Sequence, residues 1–258
     1  AYSRYRLNIS ANDGGSDTRF GNIWFWSGEE AAGDFYAEGD VQVVRDSPAN
    51  VAATLNPLHR YHAGDVLSQQ NLEAQHSGLG WIACSQPLRQ GRFYAEIRIL
   101  ATGTGIFPGL IGPGHLREQA GAGRYPGEAV ARGVSIGYNY SSGAIYNHGQ
   151  ISTYGEGFSA NDVVGVAVDM NQGAVWFSKN GIWQGGATAT EIANGDASNA
   201  AATGLEGPVW IASGYADNSG SGRARLQPGR DDWDHAAPAG FQPMSSSVGP
   251  EYGKPASY

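Results

Sequence analysis

Three short stretches hold the side chains best placed for chemistry. Asp231-Asp232-Trp233-Asp234-His235 crowds carboxylates, an indole and an imidazole together. Such a group would bind calcium through its oxygens, or act as acid and base beside an aromatic platform. Asn12-Asp13-Gly14-Gly15-Ser16-Asp17 sets oxygen ligands at alternate positions, as a calcium loop does. His59 and His62 are close enough in sequence to share a ligand. The plainer reading of all three is that they occupy loops, where acidic side chains accept backbone N–H bonds. Glycoside hydrolysis would need two carboxylates at a set separation across a cleft, and spacing along the chain does not supply that.

Other chemistry lacks its residues. No His-Glu-x-x-His pattern occurs, and Cys84 is the lone cysteine, so neither a thiolate zinc site nor an internal disulfide can form. Gly103-Thr-Gly105-Ile-Phe-Pro-Gly109 and Gly121-Ala-Gly123-Arg-Tyr-Pro-Gly127 have enough glycine to cradle phosphate. Their spacing is wrong for a dinucleotide fingerprint and no helix follows, so they read as one long loop. The chain is therefore expected not to be an enzyme and to need no cofactor, with calcium left open by the acidic turns.

Positioning falls to β structure. The chain has 258 residues, enough to bury a sizeable core, with 39 glycines, 7 tryptophans and 13 tyrosines. A net charge of −8 argues against nucleic acid, whose phosphates call for a basic face. No apolar run approaches a membrane span, and no leader is visible. Phe93, Ala95, Ile97 and Ile99 alternate with Tyr94, Glu96 and Arg98, predicting a half-buried strand over 92–100. Ser141-Ser142-Gly143 splits 134–140 from 144–147 as a hairpin. Val164, Val166 and Val168 share one strand face, and Asn180-Gly181 predicts a type I′ turn after 174–179. Strands are also expected over 208–214 and 223–226, and at most one helical turn within 188–203. Short strands at this spacing predict an all-β antiparallel sandwich or barrel.

Asp162-Val-Val-Gly-Val-Ala-Val-Asp169 followed by Val175-Trp-Phe-Ser-Lys-Asn-Gly181 resembles the signature of SPRY domains. Gly91-Arg-Phe-Tyr-Ala-Glu-Ile97 resembles that family's early strand, and Pro208–Gly214, Arg223–Gly229 and Pro238–Phe241 its closing stretch, with Leu226-Gln-Pro-Gly229 departing from the usual Asn-Phe-Gly. The resemblance implies a concanavalin-like jelly-roll sandwich over residues 51–244. Residues 1–50 are expected to form an N-terminal β-hairpin extension and 245–258 an extended polar tail. Arg4–Gly15 with Phe20–Phe25 is similar to the discoidin-like opening of bacteriophage tail fibre and baseplate proteins.

SPRY domains engage ligands through loops at one end of the sandwich. That implies ligand-binding roles for Tyr138, Tyr140, Tyr146, Tyr154, Tyr215, Asp217 and Asn218, because exposed tyrosine gives rigid contact area at low entropic cost. Trp24 and Trp26 read as core. Taken together, the expectation is a virion protein of a tail fibre, baseplate or capsid, assembled in the host cytoplasm. It would work in a homo-oligomer or larger assembly, binding a host-surface glycan or other virion proteins. A peptide-binding adaptor and a glycan-processing enzyme are the alternatives.

Overall fold

A computed structural model describes residues 52–117, 123–218, 220–229 and 232–244. The chain divides between Val51 and Ala52, and every described residue belongs to the second unit. The strands are β1 Leu55–Arg60, β2 Val66–Ser68, β3 Glu73–Gln75, β4 Gly80–Cys84, β5 Arg92–Ala101, β6 Ile106–Ile111, β7 Ser135–Tyr138 and β8 Ile145–Asn147. There follow β9 Gln150–Ser152, β10 Val163–Asp169, β11 Ala174–Lys179, β12 Ile182–Trp183, β13 Ala202–Thr203, β14 Trp210–Tyr215, β15 Arg223–Gln227 and β16 Gln242–Pro243. Two short helices, α1 Pro113–Arg117 and α2 Ala189–Ala193, interrupt them.

These strands make two sheets. One runs β1-β4-β14-β6-β7-β8-β9; the other runs β12-β11-β10-β5-β15-β3-β2, with β13 on β11 and β16 on β5. All pairings are antiparallel except β16 with β5. Side chains alternate across each strand, so Phe93, Ala95, Ile97 and Ile99 enter one core cluster with Val164, Val166, Val168, Val175 and Phe177. Strands β4 and β14 contribute Ile82, Cys84, Ile211 and Tyr215 to it. Burial pushes the Cys84 thiol up to about 12, so it stays a protonated, inert side chain.

The sequence signals for turns are realised. Asn180 and Gly181 have φ of +50° and +77°, closing β11 onto β12 through the Lys179–Ile182 pair. The Asn180 amide is fixed as well, accepting from the Val163 N–H at 2.8 Å and donating to Asp162 at 2.7 Å. Asp169 Oδ1 accepts the Asn171 and Gln172 N–H groups, so the acid at the end of β10 makes its turn. The single helical turn is α2, opened by a capping box between Thr188 and Glu191.

Two expectations are corrected. The strand β5 is buried on both faces: Tyr94 and Glu96 lie beneath Trp176, Phe241 and Trp233, in a second cluster covering the outer side of its sheet. The glycine-rich stretches are not one loop, since Ile106–Ile111 is strand β6. The second stretch folds back over the outer face of β6, β7 and β14. There Gly109, Gly137 and Gly214 leave a trough for Pro126, and a Cβ on any of the three would collide with it. Gly214→Ala is expected to cost about 2 kcal/mol through this overpacking, with no change in the slope of urea unfolding. A stability equal to wild type would mean that Pro126 does not seat there.

Candidate functional site

The antiparallel register brings one set of loops to a single end of the sandwich. Tyr215 pairs with Gly80 and Ile106, so the ends of β3 and β14 and the starts of β4 and β6 converge. Segments 61–65, 76–79, 102–105 and, as far as they are described, 216–222 meet there. A second group, 139–144, 153–162 and 180–181, lies at the same end, because Tyr138 closes β7 on the side where β6 begins.

A buried hydrogen-bonded network supports the first group. His76 Nδ1 lies 3.1 Å from Asp65 Oδ2, and His76 Nε2 lies 2.8 Å from Ser213 Oγ. Asp65 is an acceptor through both oxygens, taking the Ser77 N–H at 3.0 Å on Oδ1. Asp65, His76 and Ser213 are all buried. The arrangement has the connectivity of a hydrolase triad, but Ser213 points into the interior between the sheets, where no substrate carbonyl can reach it. It ties the 61–65 and 76–79 loops to strand β14 instead. The Tyr215 ring stacks on His76 at 6.1 Å, and its hydroxyl accepts the Thr104 N–H at 3.0 Å. The neighbouring backbone is drawn in too, with Ala216 N–H bonded to Gly105 O and His76 N–H to Gly222 O.

The second group is built on Tyr138. Its ring packs against Tyr154, Phe158 and Phe177, and its hydroxyl donates to the Glu156 carbonyl. Burial raises the Tyr138 hydroxyl pKa and pushes that of Tyr154 up to about 12. Asn139 Oδ1 accepts from Ser141 and Ser142, folding the 139–144 turn on itself. The Asn139 side chain is buried.

The structure accordingly re-sorts the residues expected to bind. Tyr138 and Tyr215 are 0% exposed and belong to the core, not to the surface. Fully burying a ring of this size stabilises by roughly 2–3 kcal/mol, more than an exposed loop position would return. They lie beneath the loops and position them. Tyr154 packs between Tyr138 and Phe177, its hydroxyl accepting the Phe177 N–H. Tyr146 lies on the sheet's outer face, edge-on to Phe107. Tyr140 is half-buried in the 139–144 loop, while in the loop after β14 Asp217 is half-buried and Asn218 exposed.

The acidic stretch before the C-terminus is also re-read. Asp234 pairs with Arg98 at 2.6 Å and accepts from Gln227, while Asp231 lies outside the described residues. His235 and its neighbour close over the wholly buried Glu96, which accepts from the Asp234 and His235 N–H groups, His235 Nδ1 and the Tyr94 hydroxyl. That carboxylate, missed in the sequence, staples the covering segment to β5. Its charge, after burial itself, raises the Tyr94 pKa. His62 and His59 share no ligand: His62 bonds Gly64 and Ser77, and His59 packs against Trp210. Among the described residues no cluster of metal-ligating side chains forms. The Asn12–Asp17 stretch, Trp24, Trp26 and the 245–258 tail lie outside them.

Comparison with known proteins agrees with this architecture. Residues 110–196 match the SPRY domain family. A Ran-binding proteins 9/10 homolog of Drosophila melanogaster is 30% identical over 126 residues, which is 45% of this chain and 12% of that protein. The chain thus spans a small part of that relative's length. The crystal structure of the SPRY domain of human HERC1 superposes with a TM-score of 0.50 at 15% identity, covering 67% of this chain and 96% of that one. Another human SPRY domain is 19% identical over 63% of this chain and 94% of its own, with a TM-score of 0.46. These animal relatives give no support to a virion role, and the segment resembling phage proteins lies outside the described residues.

Proposed function

Proceeding from a SPRY-type sandwich, we propose that this chain is a protein-interaction module whose loop end takes a short segment of a partner protein. The observation that carries this is the convergence of seven segments at one end, held from below by Tyr138, Tyr215 and the Asp65–His76–Ser213 network. A surface built this way is pre-ordered, so a partner segment does not have to meet the entropic cost of arranging it. Its exposed groups are small and polar (Ala63, Gly64, Ser77, Gly103, Thr104, Asn218, Ser221), suiting an extended peptide and its backbone. The same features favour a binding role over turnover, since Ser213, the serine of the Asp65–His76 network, is buried.

Selection from a random peptide display library on the purified chain tests this. A shared motif is expected, and Ser77→Trp and Asn218→Ala should each weaken its binding about tenfold or more. Ile182→Asp, on the edge strand β12, should leave binding unchanged. Failure to select any peptide, binding indifferent to both loop substitutions, or selective capture of a bacterial polysaccharide from an array would overturn the reading.

A further inference from the structure

We propose that His62 is a proton-operated latch on the loop end, an inference that rests on the binding role assigned to that end. The Gly64 N–H donates to His62 Nδ1 at 3.2 Å, so in this arrangement Nδ1 carries a lone pair and the proton sits on Nε2. Ser77 Oγ is 3.2 Å from the same nitrogen, and Asp65 Oδ1 is 3.6 Å from it. Adding a proton to Nδ1 inverts these relations. The Gly64 N–H then faces another hydrogen and must leave, while Nδ1–H gains a carboxylate to which it can donate.

The charge balance favours that exchange. Asp65 is a buried carboxylate whose side-chain oxygens, among the described residues, meet Ser77 N–H and two imidazoles. Of the two, His76 is 0% exposed with both ring nitrogens engaged, whereas the His62 side chain is 41% exposed. The compensating proton enters at His62. The other charged groups facing this corner are few. Arg60 of β1 donates to the Asp65 carbonyl, and the 217–218 turn lies alongside, with the Asn218 carbonyl and His62 Nε2 both close to Gly78. The segment has no slack to absorb the change silently: a Cβ on Gly64 would lie 2.8 Å from Ser77 Oγ and 2.9 Å from His62 Cε1. Protonation of His62 therefore shifts the 62–64 backbone at the surface where a partner segment docks.

Amide NMR of the full chain between pH 5 and 8 tests the latch without any partner. The Gly64 and Ser77 amide resonances should move with the same midpoint as the His62 ring proton. Protection of the Gly64 amide, relative to its intrinsic exchange rate, should fall about fivefold on the acid side, the equivalent of one ordinary hydrogen bond. In His62→Gln both responses should vanish. A Gly64 amide that stays still while His62 titrates, or one that tracks His76 instead, overturns the latch and leaves peptide binding untouched. Failure of the peptide selection, conversely, would leave these resonances as expected.

Discussion

Replacing His76 with leucine is expected to destabilise the sandwich by about 3–5 kcal/mol, the cost of leaving a buried carboxylate without its hydrogen-bond partner. The imidazole occupies an interior position where Asp65 Oδ2 and Ser213 Oγ approach its two nitrogens at 3.1 and 2.8 Å. Leucine keeps much of the volume but leaves a carboxylate without its inner donor, and Tyr215 without the flat ring it stacks on. Ser213→Ala removes a single neutral bond and should cost only about 1–2 kcal/mol. Adding Asp65→Asn to His76→Leu should recover part of the loss, because a neutral amide is cheaper to leave half-satisfied than a charge. Urea unfolding of the three variants separates these terms. A His76→Leu cost below that of Ser213→Ala would mean that Asp65 is not held as a buried anion. Either way the readout bears on binding, since the network sits under segments 61–65, 76–79 and 216–222.

What the sequence reveals here follows from the range over which each signal acts. Alternation along β5 and β10, and the paired positive-φ demand of Asn180-Gly181, are local, and all three elements form where the residues place them. The outer face of β5 was not legible, because its cover arrives from residues 183–201 and 233–241. The trough for Pro126 depends on glycines in three strands that meet only in the sheet. The loop-end network is equally non-local, with His76 and Ser213 137 positions apart. Tyrosine next to a turn has two outcomes that composition does not separate. Tyr138 and Tyr215 fall on the inward parity of β7 and β14, whereas Tyr140, two residues past Tyr138, is only half-buried in the loop that follows. Counting inward positions from the neighbouring core residues Ile136 and Ile211 would have assigned both rings to the core. The buried Glu96 left a fainter trace, as a carboxylate flanked by Tyr94 and Arg98 in an otherwise apolar strand.

Acid should loosen the cover of the other sheet through His115. This imidazole is fully buried, edge-on to Trp81 at 6.0 Å, with Ser135 Oγ at 3.3 Å from Nε2 and no partner for Nδ1. Desolvation dominates its environment and lowers its pKa from 6.5 to about 4, only partly offset by the Tyr125 carbonyl. The folded chain therefore holds His115 neutral where the unfolded chain binds a proton. The stability this confers is complete above about pH 6.5 and drains as pH falls towards 4. Over that window it amounts to about 3 kcal/mol. His115→Phe keeps the ring and removes the titration, so its stability should fall by about 2–3 kcal/mol less than wild type between pH 7.5 and 4.5. Comparing the two cancels the contributions of the other histidines and carboxylates, which both proteins share. Parallel declines would show that His115 is already solvated in the folded state. A flattened decline would place the proton uptake at the seat of the 123–134 segment, where the Trp81 indole donates to the Gly123 carbonyl at 2.9 Å. Low pH would then loosen that segment in its glycine trough.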